Sequence, residues 1–180
     1  LRDRMKFFKK APETEKIVKS LDNNNDIYLV PAFTGLGAPY WDANARGVLS
    51  GITRDTSPKE IVRATIEAVA YQTFDLFEAM KHDGLKPKIV KVDGGMVMNN
   101  WFSQFLSDIV NVKVLRPKVQ ETTALGAAFM AGLQIGVYKS LKDISKNWHL
   151  DKKFSPKMKN KSRSTLIKGW EKAVKRALIN

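Results

Sequence analysis

The sequence predicts an α/β domain in which helices pack on a mixed sheet. Short β-prone apolar runs alternate with segments in which apolar residues recur at helical spacing. From residue 88 onward the predicted order is strand, helix, strand, helix, which is typical of α/β domains. A hydrophobic content of 43% and a length of 180 residues fit one globular domain with a core, rather than two domains.

The first part of the chain is predicted to hold a short helix and two strands. An apolar helical face spans residues 17–21, and the Asn- and Asp-rich turn at 22–26 ends it. Strands are predicted at 27–30 and 47–52. The loop at 33–47 is rich in glycine and aromatic residues but has no regular period, so we expect a packed or functional loop.

The longest predicted helix begins after Ser57. Residues 57–60 (SPKE) form a capping box with a proline at the first helical position. Apolar residues then recur at helical spacing as far as Met80, and Gly84 is a natural stop. We expect the apolar face of this helix to be part of the core.

The second half of the chain is predicted to alternate between strands and helices. In order, the elements are a strand at 88–92, a tight turn at 93–95, a helix at 99–110, a strand at 112–115 that Pro117 stops, a helix at 121–132, and helices at 141–148 and 163–178. Helix 121–132 carries small residues on one face, which allows another backbone to approach it closely. We expect it to be tightly packed, and such a helix is also suited to the inner wall where two domains meet.

The composition excludes several classes of function. There is no cysteine, so a disulfide scaffold or a thiolate metal site is excluded; this fits a reducing compartment. No apolar stretch is long enough for a bilayer, and we expect no membrane association. His82 and His149 have no ligand partner at metal-binding spacing, so no metal site is predicted.

The net charge of +13 comes largely from residues 151–180, which we interpret as a basic C-terminal helical tail. One interpretation is a solvated helix face behind a lysine-rich connector. The alternative is a nucleic-acid-binding module. Because no recognisable nucleic-acid-binding motif is present, the sequence favours the first interpretation.

The most informative local feature is the segment 90–100 (VKVDGGMVMNN). Paired glycines after a strand let a ligand approach the backbone closely, and a helix start presents free N–H groups to anionic oxygens. Asn99 offers both a donor and an acceptor. Gly95 and Asn99 are therefore candidate ligand-binding residues, although a Gly-Gly turn alone is more often simple turn chemistry and matches neither a P-loop nor a G-x-G-x-x-G motif.

The motifs that carry a family resemblance run through almost the whole chain. They are 31–42 (PAFTGLGAPYWD) followed by 45–47 (ARG), then 47–67, 71–73 (YQT), 92–95 (VDGG), 123–128 (TALGAA) and 169–177 (GWEKAVKRA). In this order they resemble the FGGY carbohydrate kinases. The stretch 35–42 is similar to the form of this loop in the glycerol kinases of that family.

The resemblance implies an actin-like, ribonuclease-H-like fold of two domains with ATP in the cleft between them. It places residues 1–180 in the C-terminal domain, after the first strands of that domain. The nucleotide contacts of the family carry over to Gly95 and Asn99. The catalytic base, the glycerol pocket and the N-terminal domain would lie upstream, so no residue of this chain is expected to be catalytic.

The implied activity is transfer of a phosphoryl group from ATP, with Mg²⁺, to glycerol, in a cytoplasmic protein that we expect to be a homo-oligomer. Ser162 stands where some bacterial relatives carry an acidic residue that helps a regulatory protein and zinc to bind, so that regulation is not implied here. Other possibilities are a different FGGY sugar kinase and a structural actin-like protein that uses nucleotide to change shape. The loop at 35–42 argues against the last.

Overall fold

The strands and helices follow the predicted order, with one strand added. The structure is a computed structural model that describes residues 1–178. Its helices and strands are α1 (Glu13–Lys19), β1 (Tyr28–Val30), β2 (Val48–Ser50), α2 (Pro58–His82), β3 (Ile89–Lys91), α3 (Asn100–Val110), β4 (Lys113–Pro117), α4 (Thr122–Gln134), α5 (Leu141–Ser145), β5 (Leu150–Phe154) and α6 (Asn160–Ala177), with a 3₁₀ helix at Gly95–Met98. Among these residues no helix is long and apolar enough to cross a membrane.

The strands form two separate sheets. β1 and β2 pair antiparallel, with Leu29 opposite Leu49. The second sheet has the order β3-β4-β5 and is mixed, because β3 is parallel to β4 whereas β5 is antiparallel to it. The predicted mixed sheet is therefore this three-stranded one, and the strands around the loop at 33–47 lie outside it.

Strand β5 is absent from the sequence-based prediction, which assigned a helical tail to 151–180. Its sequence, LDKKF, carries three charges and has low strand propensity. Only Phe154 is buried; the lysines project from an edge strand, where charge is tolerated. Pairing with β4 overrides the local preference, and the helical part of the segment begins at Asn160.

Helix α2 is the main scaffold and begins as predicted. The Ser57 hydroxyl accepts the N–H of Lys59 at 3.2 Å, and the Glu60 carboxylate accepts the N–H of Ser57 at 2.9 Å. The helix ends at His82, and Gly84 follows with a φ of +87°. Both predicted end signals are confirmed.

The core lies where α2 meets α3, α6 and β1. Trp170 of α6 is fully buried and stacks on Tyr71 of α2 with ring centroids 5.3 Å apart, and Tyr71 also contacts the edge of Phe105. Beside this aromatic cluster Glu67 is completely buried; it accepts hydrogen bonds from Arg63 and, at 3.2 Å, from Tyr71. Burial raises the pKa of Glu67 while the Arg63 guanidinium opposes the change.

The loop at 33–47 is closed by backbone hydrogen bonds but is less packed than its composition predicts, because its aromatic tips face outward. Leu36 and Asp42 exchange two backbone hydrogen bonds that close the loop. Leu36 is buried, whereas Phe33 and Trp41 are 76% and 78% exposed. The loop therefore presents apolar rings on a rigid base.

Helix α4 does not pack as predicted. Of its residues only Gly132 is buried, although the helix is rich in alanine and also carries leucine, phenylalanine and methionine. Gly132 lies against the ring of Tyr138, which an added Cβ would meet at 2.9 Å. The expected close packing of the small-residue face is wrong within the described residues, because no other element of the chain covers that face.

Candidate functional site

The candidate site is the turn that follows β3. After the strand, Val92 continues to donate to β4 through the carbonyl of Leu115 at 3.0 Å, and the Gly94 N–H reaches the carbonyl of Gln120 at 3.2 Å. Gly94 has a φ of +85°, a conformation that side-chain-bearing residues rarely adopt. The backbone itself thus requires the first glycine of the pair.

The second glycine has no such structural reason. Gly95 lies outside the left-handed region, and a Cβ added to it would have no neighbour within 4 Å among the described residues. Gly95 and Met96 are the first two residues of the 3₁₀ helix, so their N–H groups have no acceptor within it, and in residues 1–178 no acceptor outside it contacts them. Gly95 therefore leaves open space and free donors beside an exposed backbone, which is the requirement for close approach of a ligand.

A short 3₁₀ helix that the sequence analysis did not predict separates the glycines from the predicted helix. Gly95–Met98 is a short 3₁₀ helix, and α3 begins only at Asn100. The sequence analysis placed Asn99 in the first turn of a helix over 99–110, whereas the structure places it one residue before that helix, at the junction with the 3₁₀ helix. The sequence predicts the turn at 93–95, but the apolar residues at 96–98 have no pattern that predicts a 3₁₀ helix.

Asn99 is the N-cap of α3. Its Oδ1 accepts the N–H of Phe102 at 3.0 Å, and its Nδ2 donates to the Thr14 hydroxyl at 3.4 Å. The first bond is a standard capping interaction, whereas the second is long and correspondingly weak. Asn99 therefore does cap α3 through Oδ1, and its Nδ2 donor is the atom that remains able to bind a ligand.

Three residues that the sequence reasoning missed hold this turn in place. Arg116 of β4 donates to the carbonyl of Val97 at 2.8 Å, and Ser103 of α3 donates to the same carbonyl at 2.9 Å. Asp151 of β5 accepts from Arg116 Nε at 2.7 Å. The sequence feature that could have led to these residues is the single arginine in the otherwise apolar strand at 114–117. A charged residue that is buried needs hydrogen-bond or charge partners.

A second buried carboxylate lies under the loop at 33–47. Asp75 of α2 is 7% exposed; it accepts from Trp170 Nε1 at 2.8 Å, and the Tyr40 hydroxyl approaches it from the loop. Burial raises the pKa of Asp75 to about 6, with smaller contributions from Glu171 and Glu78. This group joins the loop to α2 and α6.

Residues 1–178 contain no group of three or more histidine, cysteine, aspartate or glutamate side chains placed to hold a metal ion. His82 lies exposed at the end of α2, and His149 is exposed beside β5. Gly95 and Asn99 carry no carboxylate, whereas magnesium is bound through one or two carboxylates together with substrate phosphates, so these two residues fit a nucleotide rather than the metal.

The combination of an α/β fold with an open glycine turn behind a parallel strand agrees with a nucleotide-binding domain, and comparison with known proteins identifies the family. The chain belongs to the FGGY family of carbohydrate kinases, whose C-terminal domain matches residues 2–135. The expected actin-like α/β class is confirmed by the solved structures of that family.

Bacterial glycerol kinases are similar to this chain over almost its whole length. Glycerol kinase 1 of Pseudomonas aeruginosa is 54% identical over 176 residues, which cover 98% of this chain and 36% of that protein. A glycerol kinase of Clostridium botulinum is 51% identical over 179 residues, with 99% and 36% covered. The chain thus spans about a third of the length of these relatives.

Solved structures of FGGY kinases are also similar to this chain. Plasmodium falciparum glycerol kinase with ADP superposes with a TM-score of 0.84 at 37% identity, covering 97% of this chain and 35% of that chain. The ligand-bound xylulose kinase of Lactobacillus acidophilus gives a TM-score of 0.75 at 26% identity, covering 96% and 36%.

Proposed function

We propose that this chain is the C-terminal, nucleotide-binding part of a glycerol kinase, which transfers a phosphoryl group from ATP to glycerol and forms glycerol 3-phosphate. The observation that carries the proposal is the 54% identity to a glycerol kinase over 98% of the chain. The structural similarity to a glycerol kinase with ADP supports the nucleotide. The alternative of another FGGY sugar kinase has weaker support, since the xylulose kinase is 26% identical.

The chemistry that we assign to this chain is binding and orientation of the nucleotide. Phosphoryl transfer depends on alignment of donor and acceptor and on charge neutralisation more than on covalent chemistry by the protein. The free N–H groups of Gly95 and Met96 are donors for nucleotide oxygens, and the Asn99 amide is a donor for the same ligand. Magnesium would enter with the nucleotide phosphates and take protein ligands from outside this chain.

We further propose an upstream portion that supplies the catalytic base and the glycerol pocket and that packs on α4. The exposed side of this chain supports such a partner. Met130 is 52% exposed, and Ile135 and Val137 just beyond the helix are 76% and 66% exposed. On the edge strand β3, Ile89 is 52% exposed. Met130, Ile135 and Val137 lie close together in sequence, and contiguous exposed apolar side chains are typical of a surface that another part of a protein covers.

The family assignment also supports a cytoplasmic homo-oligomer as a proposal, and it favours a solvated basic face over a nucleic-acid-binding module. The cations of 151–178 lie mostly on the exposed sides of β5 and α6. A solvated basic face accounts for them. A DNA titration at physiological salt separates the two, because phosphate contacts give affinity that falls steeply with salt.

The test of the proposed function uses the full-length protein, meaning this chain together with the proposed upstream portion. Its phosphorylation of glycerol, xylulose and gluconate is measured with ATP by coupled detection of ADP. We expect kcat/KM for glycerol to exceed that for either sugar substrate by at least about 100-fold, because the longer substrates would not fit a pocket shaped for a three-carbon triol. Preference for xylulose or gluconate would replace glycerol kinase by another FGGY sugar kinase.

A further inference from the structure

We infer that Arg116 and Asp151 form a positioning pair that fixes the path of the backbone between Gly95 and Asn99, and with it nucleotide affinity. This inference rests on the proposed nucleotide position at the Gly95 turn. Neither residue belongs to a motif that carries the family resemblance.

The contacts of Arg116 lead to this turn. Arg116 is 6% exposed, and its Nη1 donates to the carbonyl of Val97 at 2.8 Å and more weakly to that of Met98 at 3.4 Å. These two carbonyls belong to the last residues of the 3₁₀ helix. A buried guanidinium thus holds the end of the segment whose beginning is the open glycine.

Asp151 orients the guanidinium. Its carboxylate accepts from Arg116 Nε at 2.7 Å, and the Phe154 ring lies 5.6 Å from the guanidinium carbon. The Asp151 side chain is 40% exposed, so solvent partly screens its charge. Arginine suits this position because its planar fork donates in two directions at once, to a carboxylate and to the backbone.

Strand pairing explains why this arrangement is rigid. Arg116 lies opposite Lys152 in the β4–β5 ladder, and the register shifts immediately after it. Such an irregularity re-aims side chains. On the other side of the turn, Ser103 of α3 donates to the Val97 carbonyl that Arg116 also contacts. The turn is therefore held between a strand and a helix.

The test compares Arg116→Met, Arg116→Lys and Asp151→Asn in the full-length protein, measuring Kd for ADP by calorimetry, KM for ATP and glycerol, and Tm. We expect Arg116→Met to raise Kd for ADP and KM for ATP about tenfold, with KM for glycerol unchanged. Arg116→Lys should recover part of the affinity, because lysine retains one donor. Asp151→Asn should have the smallest effect, since the amide oxygen can still accept from Nε.

The matched control is Arg163→Met. Arg163 of α6 also donates through Nε to a backbone carbonyl, that of Ile109 at 2.8 Å, but it lies against Phe74 rather than the Gly95 turn. We expect it to lower Tm without changing Kd for ADP. If Arg116→Met behaved in the same way, Arg116 would only support the fold and the inference would be overturned.

Gly95→Val separates failure of this inference from failure of the proposed function. If Gly95→Val weakens ADP binding and Arg116→Met does not, only the positioning pair is wrong. If both leave Kd for ADP unchanged, the nucleotide does not bind at this turn; the inference and the assignment of nucleotide binding to Gly95 then fail, while the substrate preference of the full-length protein still tests the kinase assignment. Weakening by both, with partial recovery in Arg116→Lys, supports both.

Discussion

Two roles are proposed for Asn99, capping of α3 and contact with a ligand, and each uses a different atom of its side chain. The Oδ1 atom caps α3 through the N–H of Phe102 at 3.0 Å, whereas the Nδ2 atom makes only a long bond to Thr14 at 3.4 Å. Loss of a capping interaction costs about 1 kcal/mol of stability. Loss of one hydrogen bond to a bound ligand weakens affinity about tenfold.

Three substitutions in the full-length protein use this difference. Asn99→Ala removes the cap and the amide donor, Asn99→Asp keeps the cap but removes the donor, and Asn99→Ser keeps a comparable cap without the amide and without adding a charge. We expect all three to raise Kd for ADP about tenfold. Only Asn99→Ala should lose about 1 kcal/mol of unfolding free energy.

The assay is calorimetric titration with ADP, combined with chemical denaturation of the same preparations. Thr14→Val is the matched control, because it removes the present partner of the amide and leaves Asn99 itself unchanged; we expect its Kd for ADP to stay within about twofold of wild type. Full ADP affinity in stable Asn99→Asp and Asn99→Ser proteins would refute a ligand contact by Asn99 and leave it as a cap alone.

Three further outcomes follow from the structure. Gly95→Val should raise KM for ATP far more than KM for glycerol, since a side chain there meets only open space in this chain but would collide with a nucleotide; unchanged ATP kinetics would make the turn a fold element only. Asp75→Asn should stabilise the protein more at pH 7.5 than at pH 4.5. Burial raises the pKa of Asp75 from 3.8 to about 6, so the unfolding free energy of the wild type falls by up to about 3 kcal/mol as pH rises through this window. If urea denaturation showed an effect of the substitution that does not depend on pH, this would be contradicted. Residues 1–180 alone should show no glycerol phosphorylation in a coupled ADP assay, and turnover by the purified chain would show that the proposed upstream portion is not required.

Local signals were sufficient for the elements that carry them. The capping box at Ser57 and the glycine at 84 bracket α2 because capping and left-handed backbone depend on a few adjacent residues. These predictions required no knowledge of distant contacts.

The missed features depend on pairing across the chain. Strand β5 has a charged sequence that forms a strand only because β4 lies beside it. Arg116 and Asp151 are far apart in sequence, and a residue spacing of that length predicts no contact. For α4 the pattern of small residues predicts close packing against a partner, but it does not predict which part of a protein is that partner.

The sequence analysis identified the segment that holds the candidate site, but not the backbone conformation of that segment. Gly95 and Asn99 lie at the two ends of one short segment, as their spacing indicated. The sequence did not show that the segment is a 3₁₀ helix, nor that Gly94 rather than Gly95 has the positive φ. Whether Gly95 and Asn99 contact a nucleotide stays a prediction.

The most direct measurement is amide hydrogen exchange of the full-length protein with and without ADP. If the nucleotide binds at the Gly95 turn, the N–H groups of Gly95 and Met96, which no protein group accepts in residues 1–178, should become protected when ADP is added. The peptide covering 92–100 should then show slower exchange, while the loop at 33–47 stays unchanged. Protection confined to other peptides, or none at 92–100 under saturating ADP, would contradict the proposed role of this chain.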